Sequence, residues 1–568
     1  MTASWGFDRH LRYDELVEWV HGVAADHPGL VSVEVYGSSS EGRDLHLVTV
    51  TDTTAGAHHT KPAHWVDANI HATELTASVA ACRMIDHLVK GHDDDPRIRR
   101  ALATRTFYIV PRVNPDGAEL ALADDPRFLR SSTKRWPRTD PLPGLERRDV
   151  DGNGRLLQMR VADDDGPWTT HLDDDRLLVP VPPDAEVGKR SRYRLLAEGT
   201  IRDFDGWTIP TPRAVEGLDL NRNFPAGWST AVTGAGDHPM SEPEIDALIR
   251  AIVARPNICG AHAYHTSGGV QLRPSSTRKD SDLPPFDVWA WTQLGVQAEA
   301  ATGYPTHSVY EDFTWDYADI MSGAADDWAY EHLGIYSWTT EFWDVIHAAT
   351  GTKSSTKIWY TGPTDDEALA VLRWVDQHSP SGYVPWTAFE HPQLGSVEIG
   401  GWDDLHVWTN PPPSLLAAEV DGHPDVAVHQ ALAAPCLEID HLRTLPLGPS
   451  PQAGQQMFRV EAAVSNTGWF ATDVSAFARK AALTLPCEAT IEGATVIGGT
   501  ARVEFGQLEG RAAARFAGWN DGTPDRSLIA WTVSGMPECE VTITVRHQRA
   551  GTDVATTVLS GNQPEVPS

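Results

Sequence analysis

HWVDANI, residues 64–70, runs through His71 into the helical stretch TASVAACRMIDHLVK, and RTFYIVPRV, residues 105–113, follows as another apolar run. A strand that hands over directly to a helix and then to a second buried strand confines this part of the chain to an α/β core, with a mixed, mostly parallel sheet flanked by helices. Leu16, Val17, Val20 and Val23 recur at helical spacing and predict a first helix over residues 13–26, followed by strands at 30–36 and 44–51. Asn114-Pro115-Asp116-Gly117 closes the 105–113 strand with a strong turn signal. The rhythm returns with ICGAHAYH (258–265), a helix around 286–301, IYSWTTEFW (335–343) and a helix from Asp365 to about His378.

Two stretches break that rhythm. Residues 131–216 are rich in Asp, Pro and Arg and read as an inserted surface excursion within an α/β domain spanning 1–385. Pro-rich turns such as Asn410-Pro411-Pro412-Pro413 mark 386–454 as a connecting region. From about 455 the period changes to two. Phe458, Val460, Ala462 and Val464 point one way before an Asn466-Thr467-Gly468 turn, and Val541, Ile543 and Val545 alternate with threonines. Short alternating strands between turns predict a β-sandwich-like domain over 455–568. A length of 568 residues agrees with two to four domains.

Charge narrows the partners. Lys and Arg number 46 against 78 Asp and Glu, a formal charge of −32, which disfavours nucleic acid and anionic membranes. Five cysteines, widely spaced and without a CxxC pair, suit a reducing compartment. The opening residues show no charged region followed by an apolar run, and no stretch of about 18 apolar residues occurs. The expectation is a cytoplasmic protein without a signal peptide or spanning helix.

His71 and Glu74 stand three apart where a strand becomes a helix, so an imidazole and a carboxylate can converge on one cation. In a chain with 24 His, that spacing alone says little. Four further segments give it context: NPDG followed by PRFLR, DLNRNFPAGW, YHTSGGVQLRP, and DDWAYEHLGIYSWTTEFWD. Together with NIHATE, in this order, they make residues 10–380 or so resemble the zinc carboxypeptidases of the pancreatic A and B type. The resemblance implies a zinc-dependent hydrolase that removes C-terminal residues from peptides, with one zinc ion per chain.

By that resemblance His71, Glu74 and His265 are the metal ligands, with His262 and His64 as structural neighbours. Asp219 would orient a ligand imidazole. Glu341 would be the general acid/base and Arg130, in preference to Arg127, the oxyanion-stabilising cation. Asn221 and Arg222 would hold the substrate's terminal carboxylate. Asp326 would lie at the base of the pocket for the terminal side chain, favouring Lys and Arg. The family's mobile Tyr falls on Asp319 by counting, with Tyr317 the nearest tyrosine and the candidate for that role. The Arg that usually precedes the metal Glu is Thr73. A related reading is a zinc amidohydrolase of the same fold acting on cell-wall peptides or acyl-amino acids, which would need the Asn-Arg pair less. DVDGNG opens like a calcium loop at Asp149, Asp151 and Asn153, but position twelve is Arg160, which excludes an EF-hand.

Overall fold

The structure is a computed structural model that describes residues 5–183, 190–317, 321–516, 518 and 521–560. Its largest sheet has eight strands: β1 (Val31–Ser38), β2 (Asp44–Val50), β3 (Ala63–Ala68), β4 (Thr106–Val110), β5 (Ile258–Thr266), β6 (Val270–Arg273), β7 (Thr306–Ser308) and β8 (Tyr336–Phe342). They lie in the order β1-β2-β4-β3-β5-β8-β6-β7. The central four, β4, β3, β5 and β8, run parallel. β1 and β2 extend one edge in antiparallel fashion, and β6 turns back against β8.

All six residues of β3 are buried, as expected where helices cover both faces of a parallel sheet. Alternation still assigns the faces. Ala63 and Trp65 join one core with the helices Pro243–Val253 and Ala325–Leu333, while Val66 and Ala68 join the other with Leu75–Asp94. The mixed sheet with flanking helices is the fold class anticipated from the sequence.

The C-terminal region packs two four-stranded antiparallel sheets face to face. One contains Leu437–Pro449, Gln456–Asn466, Arg526–Gly535 and Thr495–Val496; the other Arg502–Gly506, Cys487–Glu492, Glu540–His547 and Gly551–Val558. Phe458, Val460, Ala462 and Val464 meet Val541, Ile543 and Val545 in their common core. This region is docked firmly on the first. The Asp287 carboxylate accepts hydrogen bonds from Tyr330 Oη and Tyr336 Oη, both at 2.7 Å, and from the backbone N–H of Ala476 and Phe477 at 2.8 and 3.0 Å.

Two stretches carry more structure than their composition suggests. Among the described residues of 131–216, Gln158–Ala162, Trp168–Thr170, Leu178–Pro180 and Arg192–Ala197 join the hairpin Tyr383–His391/Gly395–Trp402 in a six-stranded sheet. Of these short, half-exposed strands only Gln158–Ala162 pairs across a long stretch of chain, with Gly395–Trp402, so no local pattern reveals how the layer joins the hairpin. Residues 386–454 are likewise no mere connection. Besides that hairpin they form the helices Pro413–Val420 and His423–Ala433, which pack beneath Leu75–Asp94, and the first sandwich strand, Leu437–Pro449. Pro446 and Pro449 disguise this strand in sequence; it is tolerated because it is an edge strand with register shifts near Ile439 and Pro446. Among the described residues no helix is long and apolar enough to cross a membrane.

Candidate metal centre

The carboxyl ends of β3, β5 and β8 meet at one place, where open parallel sheets commonly bind ligands. His71 lies in the turn after β3, His265 near the end of β5, and Glu341 directly opposite His265 on β8. Register alone therefore sets His265 and Glu341 side by side on one face of the sheet. Glu74 occupies the N-cap position of the helix Leu75–Asp94, yet its side chain makes no capping hydrogen bond. It turns instead to the two imidazoles: Oε1 is 2.8 Å from His71 Nδ1 and Oε2 is 2.9 Å from His265 Nδ1.

The missing cap is supplied from far along the chain. Asn410 Oδ1 accepts from the backbone N–H of Thr76 at 2.9 Å and from its hydroxyl at 2.8 Å, while Nδ2 donates to Thr73 O and Leu405 O, each at 2.9 Å. Asn410 is fully buried. It thus does for the helix what Glu74 cannot do while facing the imidazoles. Sequence reading took the Asn410 segment for a connecting turn, and its only local signal was an Asn in a run of prolines.

The donor set fits a divalent metal of the zinc type. One ligand atom from each of His71, Glu74 and His265 lies within 4.8 Å of the others, and all three residues are buried. His71 Nε2 meets Asp219 Oδ1 at 3.1 Å, which assigns the proton to Nε2 and leaves Nδ1 with a free lone pair. The two Nδ1 atoms are only 3.1 Å apart. Two bare imidazole nitrogens and a carboxylate converging in this way repel one another unless a cation lies between them.

The remaining groups surround that point. Asp219 also accepts from Asn221 N–H at 2.9 Å and, through Oδ2, from Arg130 Nε at 2.9 Å, and Arg130 Nη1 reaches Glu74 Oε1 at 3.4 Å. Arg127 turns away to Glu216, 3.0 Å distant, so Arg130 is the arginine that borders the cavity. Glu341 Oε2 is buried and has no hydrogen-bond partner among the described residues. Burial pushes the Glu341 carboxyl up to about 8; His265 opposes the shift and Glu74 adds to it.

A cavity of about 270 Å³ joins these residues, lined by His71, Glu74, Arg130, His265 and Glu341 together with Asn221, Arg222 and Asp326. Asn221 Oδ1 accepts from Ala325 N–H at 2.9 Å, and Arg222 Nη1 donates to Asn221 O at 2.8 Å. Asp326 is buried, and burial raises its carboxyl above the usual range. Its neighbour Asp327, which accepts from Ser276 N–H at 3.0 Å, is pushed up to about 8 by burial and by Asp326.

Tyr317 is not brought in. It is half exposed and packs against Tyr310, with ring centroids 4.9 Å apart, whereas Tyr360 borders the cavity. Asp319 lies outside the described residues. His262 is held by Gln430 and Thr340, away from the ligands, and His64 is buried on β3. The DVDGNG turn closes on itself: Asp149 accepts from Gly152, Asn153 and Gly154, and both Glu198 oxygens are taken by the N–H groups of Val150 and Leu157.

Comparison with known proteins points to one family for the first part of the chain. A family model described as zinc carboxypeptidase matches residues 16–351, and a second, described only as a domain of unknown function, matches 436–558. The chain is 30% identical to carboxypeptidase B of Astacus astacus over 165 residues, 28% of this chain and 45% of that protein. It is 22% identical to carboxypeptidase O of Bos taurus over 360 residues, 61% of this chain and 73% of that protein. Several curated relatives are matched over less than half their own length, from 27% to 45%. Among solved structures it is similar to carboxypeptidase A from Helicoverpa armigera, with a TM-score of 0.42 and 18% identity over 66% of this chain and 75% of that one.

Proposed function

The chain belongs to the zinc carboxypeptidase family, and we propose that it hydrolyses the C-terminal peptide bond of peptides, preferring basic terminal residues. The observation that carries this reading is a single cavity bordered by His71, Glu74 and His265, by Glu341, and by the Asn221–Arg222 pair. One zinc ion held by the first three, when bound, supplies a Lewis acid and acidifies its water toward neutral pH.

The protein's own groups do the rest. Glu341, with Oε2 unpartnered, takes up a proton and returns it to the leaving amine, a role worth about 10²–10⁴-fold. Asp219 anchors Arg130 through Nε while Nη1 reaches Glu74, which leaves Nη2 for charge developing on the carbonyl oxygen, a contribution of about 3–4 kcal/mol. Arg222 spends one N–H on the Asn221 carbonyl and keeps others for a two-pronged grip on the terminal carboxylate. Asn221, whose Oδ1 is taken by Ala325, has its amide N–H groups to add. Tyr360 borders the cavity, which supports it, in place of Tyr317, as the phenol that meets the bound peptide.

The preference for basic residues rests on the cavity's mixed wall. Leu272, Val309, Phe313 and Met321 share it with buried Asp326. An aliphatic stem with a cationic head matches such a wall, because the head offsets a carboxylate that an apolar side chain would leave uncompensated. All five cysteines are unpaired, which supports a reducing, cytoplasmic location.

The test is a set of identical peptides ending in Arg or Phe, each as free acid and as amide. The free acids are cleaved and the amides are not, Arg is removed faster than Phe, and Asp326→Ala erases that ratio. Equal rates on acid and amide refute the carboxypeptidase reading, and a wild type that favours Phe refutes the basic preference.

A further inference from the structure

Beside the cavity of His265 and Glu341 lies a second one of about 450 Å³, and Ser267 borders both. Thr73, the residue before Glu74, lines it as well. Its character is different. Phe128, Leu129, Trp343, Ile346, Leu405 and Trp408 line it, and its volume falls in the range of about 300–1,000 Å³ usual for ligand sites.

The apolar surface is held in place by hydrogen bonds made behind it. Trp343 has φ of 70°, a left-handed backbone that a bulky residue adopts only where its surroundings impose it. Its N–H donates to Tyr304 Oη and to Glu419 Oε1, both at 2.9 Å, and its indole N–H to Val407 O at 2.7 Å. The Ser267 hydroxyl donates to Trp408 O at 2.8 Å, tying that wall to the end of β5. Three charged groups border it: Arg147 and Asp404 pair with each other at 3.3 Å, the guanidinium lies 5.1 Å from the Phe128 ring centre, and the Asp344 carboxylate accepts from the backbone N–H of His347 and Ser354, both at 2.9 Å. None is left as a bare charge facing an apolar guest.

Position indicates what enters. Among the described residues that line this cavity, neither Asn221 nor Arg222 appears; Arg222 and Arg130 border the cavity of His265 and Glu341 and a third one, which shares Phe128 and Leu129 with this cavity. A peptide whose carboxylate is held at Arg222, and whose scissile carbonyl lies beside Glu341, therefore directs its preceding residues past Ser267 and Thr73. We propose that this cavity selects a large apolar side chain, aromatic or leucine-sized, on the peptide upstream of the scissile bond. The proposal rests on the carboxypeptidase reading above. Asp404, Leu405 and Trp408 lie beyond the residues matched by the zinc carboxypeptidase family model, so the added part of the chain completes a wall that Phe128, Leu129, Trp343 and Ile346 begin within them.

The experiment uses free-acid peptides with a constant terminal residue and Phe, Leu, Gly or Asp at each of the two upstream positions in turn. At one of those positions kcat/KM for Phe exceeds that for Gly by about 10–100-fold, with Asp the poorest. Trp408→Ala brings the Phe/Gly ratio close to one. Calorimetric binding of the same peptides to full-length, zinc-loaded Glu341→Gln follows the same order. Cleavage of every peptide with flat ratios at both positions overturns the apolar site and leaves the carboxypeptidase reading standing. Failure to cleave any of them, with a binding preference for Phe that Trp408→Ala removes, overturns that reading and upholds the site. Flat ratios in both cleavage and binding overturn the site. The wild-type series decides the matter even where the variant does not fold.

Discussion

Asn410→Ala is the most informative single change, because it acts on the candidate metal centre through Thr76, 334 residues away, without touching a ligand. The asparagine makes four hydrogen bonds in a fully buried position, two accepted from Thr76 and one donated to each of Thr73 and Leu405. Loss of an N-cap costs about 0.5–2 kcal/mol. The Thr76 N–H and the Thr73 carbonyl are then left in the interior without partners, at about 1–3 kcal/mol for a group that water does not reach. Together these predict a loss of about 2–4 kcal/mol in metal-free protein. The loosened turn is the one that fixes Glu74 between His71 and His265, so zinc affinity falls as well, by about 10–100-fold, as for other groups that support metal ligands. Denaturant titration of metal-free protein and chelator competition of the loaded protein measure the two effects. Asn410→Asp serves as a control: it keeps the acceptor toward Thr76 but turns a carboxylate oxygen toward two carbonyls, so it does not rescue. A variant within about 1 kcal/mol of wild type, with unchanged zinc affinity, would refute the argument that Asn410 substitutes for Glu74 as the cap.

His71→Ala or His265→Ala abolishes stoichiometric zinc, measured by elemental analysis after dialysis, while circular dichroism keeps the mixed α/β signature; full occupancy in the double variant contradicts the ligand set. Glu341→Gln keeps zinc and peptide binding but lowers kcat by about 10²–10⁴-fold, and a rate within a few-fold of wild type would mean that the proton is carried elsewhere. With its carboxyl pushed up to about 8, Glu341 is mostly protonated at pH 7 without metal, and a cation at the adjoining ligands favours its carboxylate. Zinc uptake therefore releases about one more proton from wild type than from Glu341→Gln; calorimetry in two buffers of different ionisation enthalpy reads the difference, and equal release is the contrary result. Asp287→Ala strips the acceptor from two tyrosine hydroxyls and two backbone N–H groups. It costs roughly 2–4 kcal/mol and exposes the junction between the two parts to limited proteolysis, so an unchanged digestion pattern would count against this contact as the anchor.

The sequence was legible where structure is local and opaque where it is not. The strand–turn–helix around His71 could be read directly, because apolar runs of strand length, buried on both faces, adjoin an apolar helix. The helix Asp365–His378 and the alternation of Phe458, Val460, Ala462 and Val464 were visible for the same reason. The six-stranded sheet was not. Its strands pair residues near 160 with residues near 398, and their exposed faces carry the Asp, Arg and Pro that read as a surface excursion.

The candidate site shows the same division one level down. Motif order alone nominated His71, Glu74, His265 and Glu341, and the register of β5 against β8 brings the last two together. Arg127 and Arg130, three residues apart, are chemically identical in sequence. Only the positions of Glu216 and Asp219 separate them, because each carboxylate captures one guanidinium and Asp219 is the one that also holds His71. Tyr317 was chosen for nearness along the chain, whereas Tyr360 borders the cavity from a segment further on. Asn410 is the sharpest case. A residue at a helix start normally caps its own helix, so a helix whose N-cap is committed to a metal centre must find its cap elsewhere. That requirement can be stated from the HxxE motif alone, but the residue that meets it comes from a loop whose course depends on the whole second half of the chain. Demands of chemistry are thus written locally, and the groups that answer them are assigned by the tertiary fold.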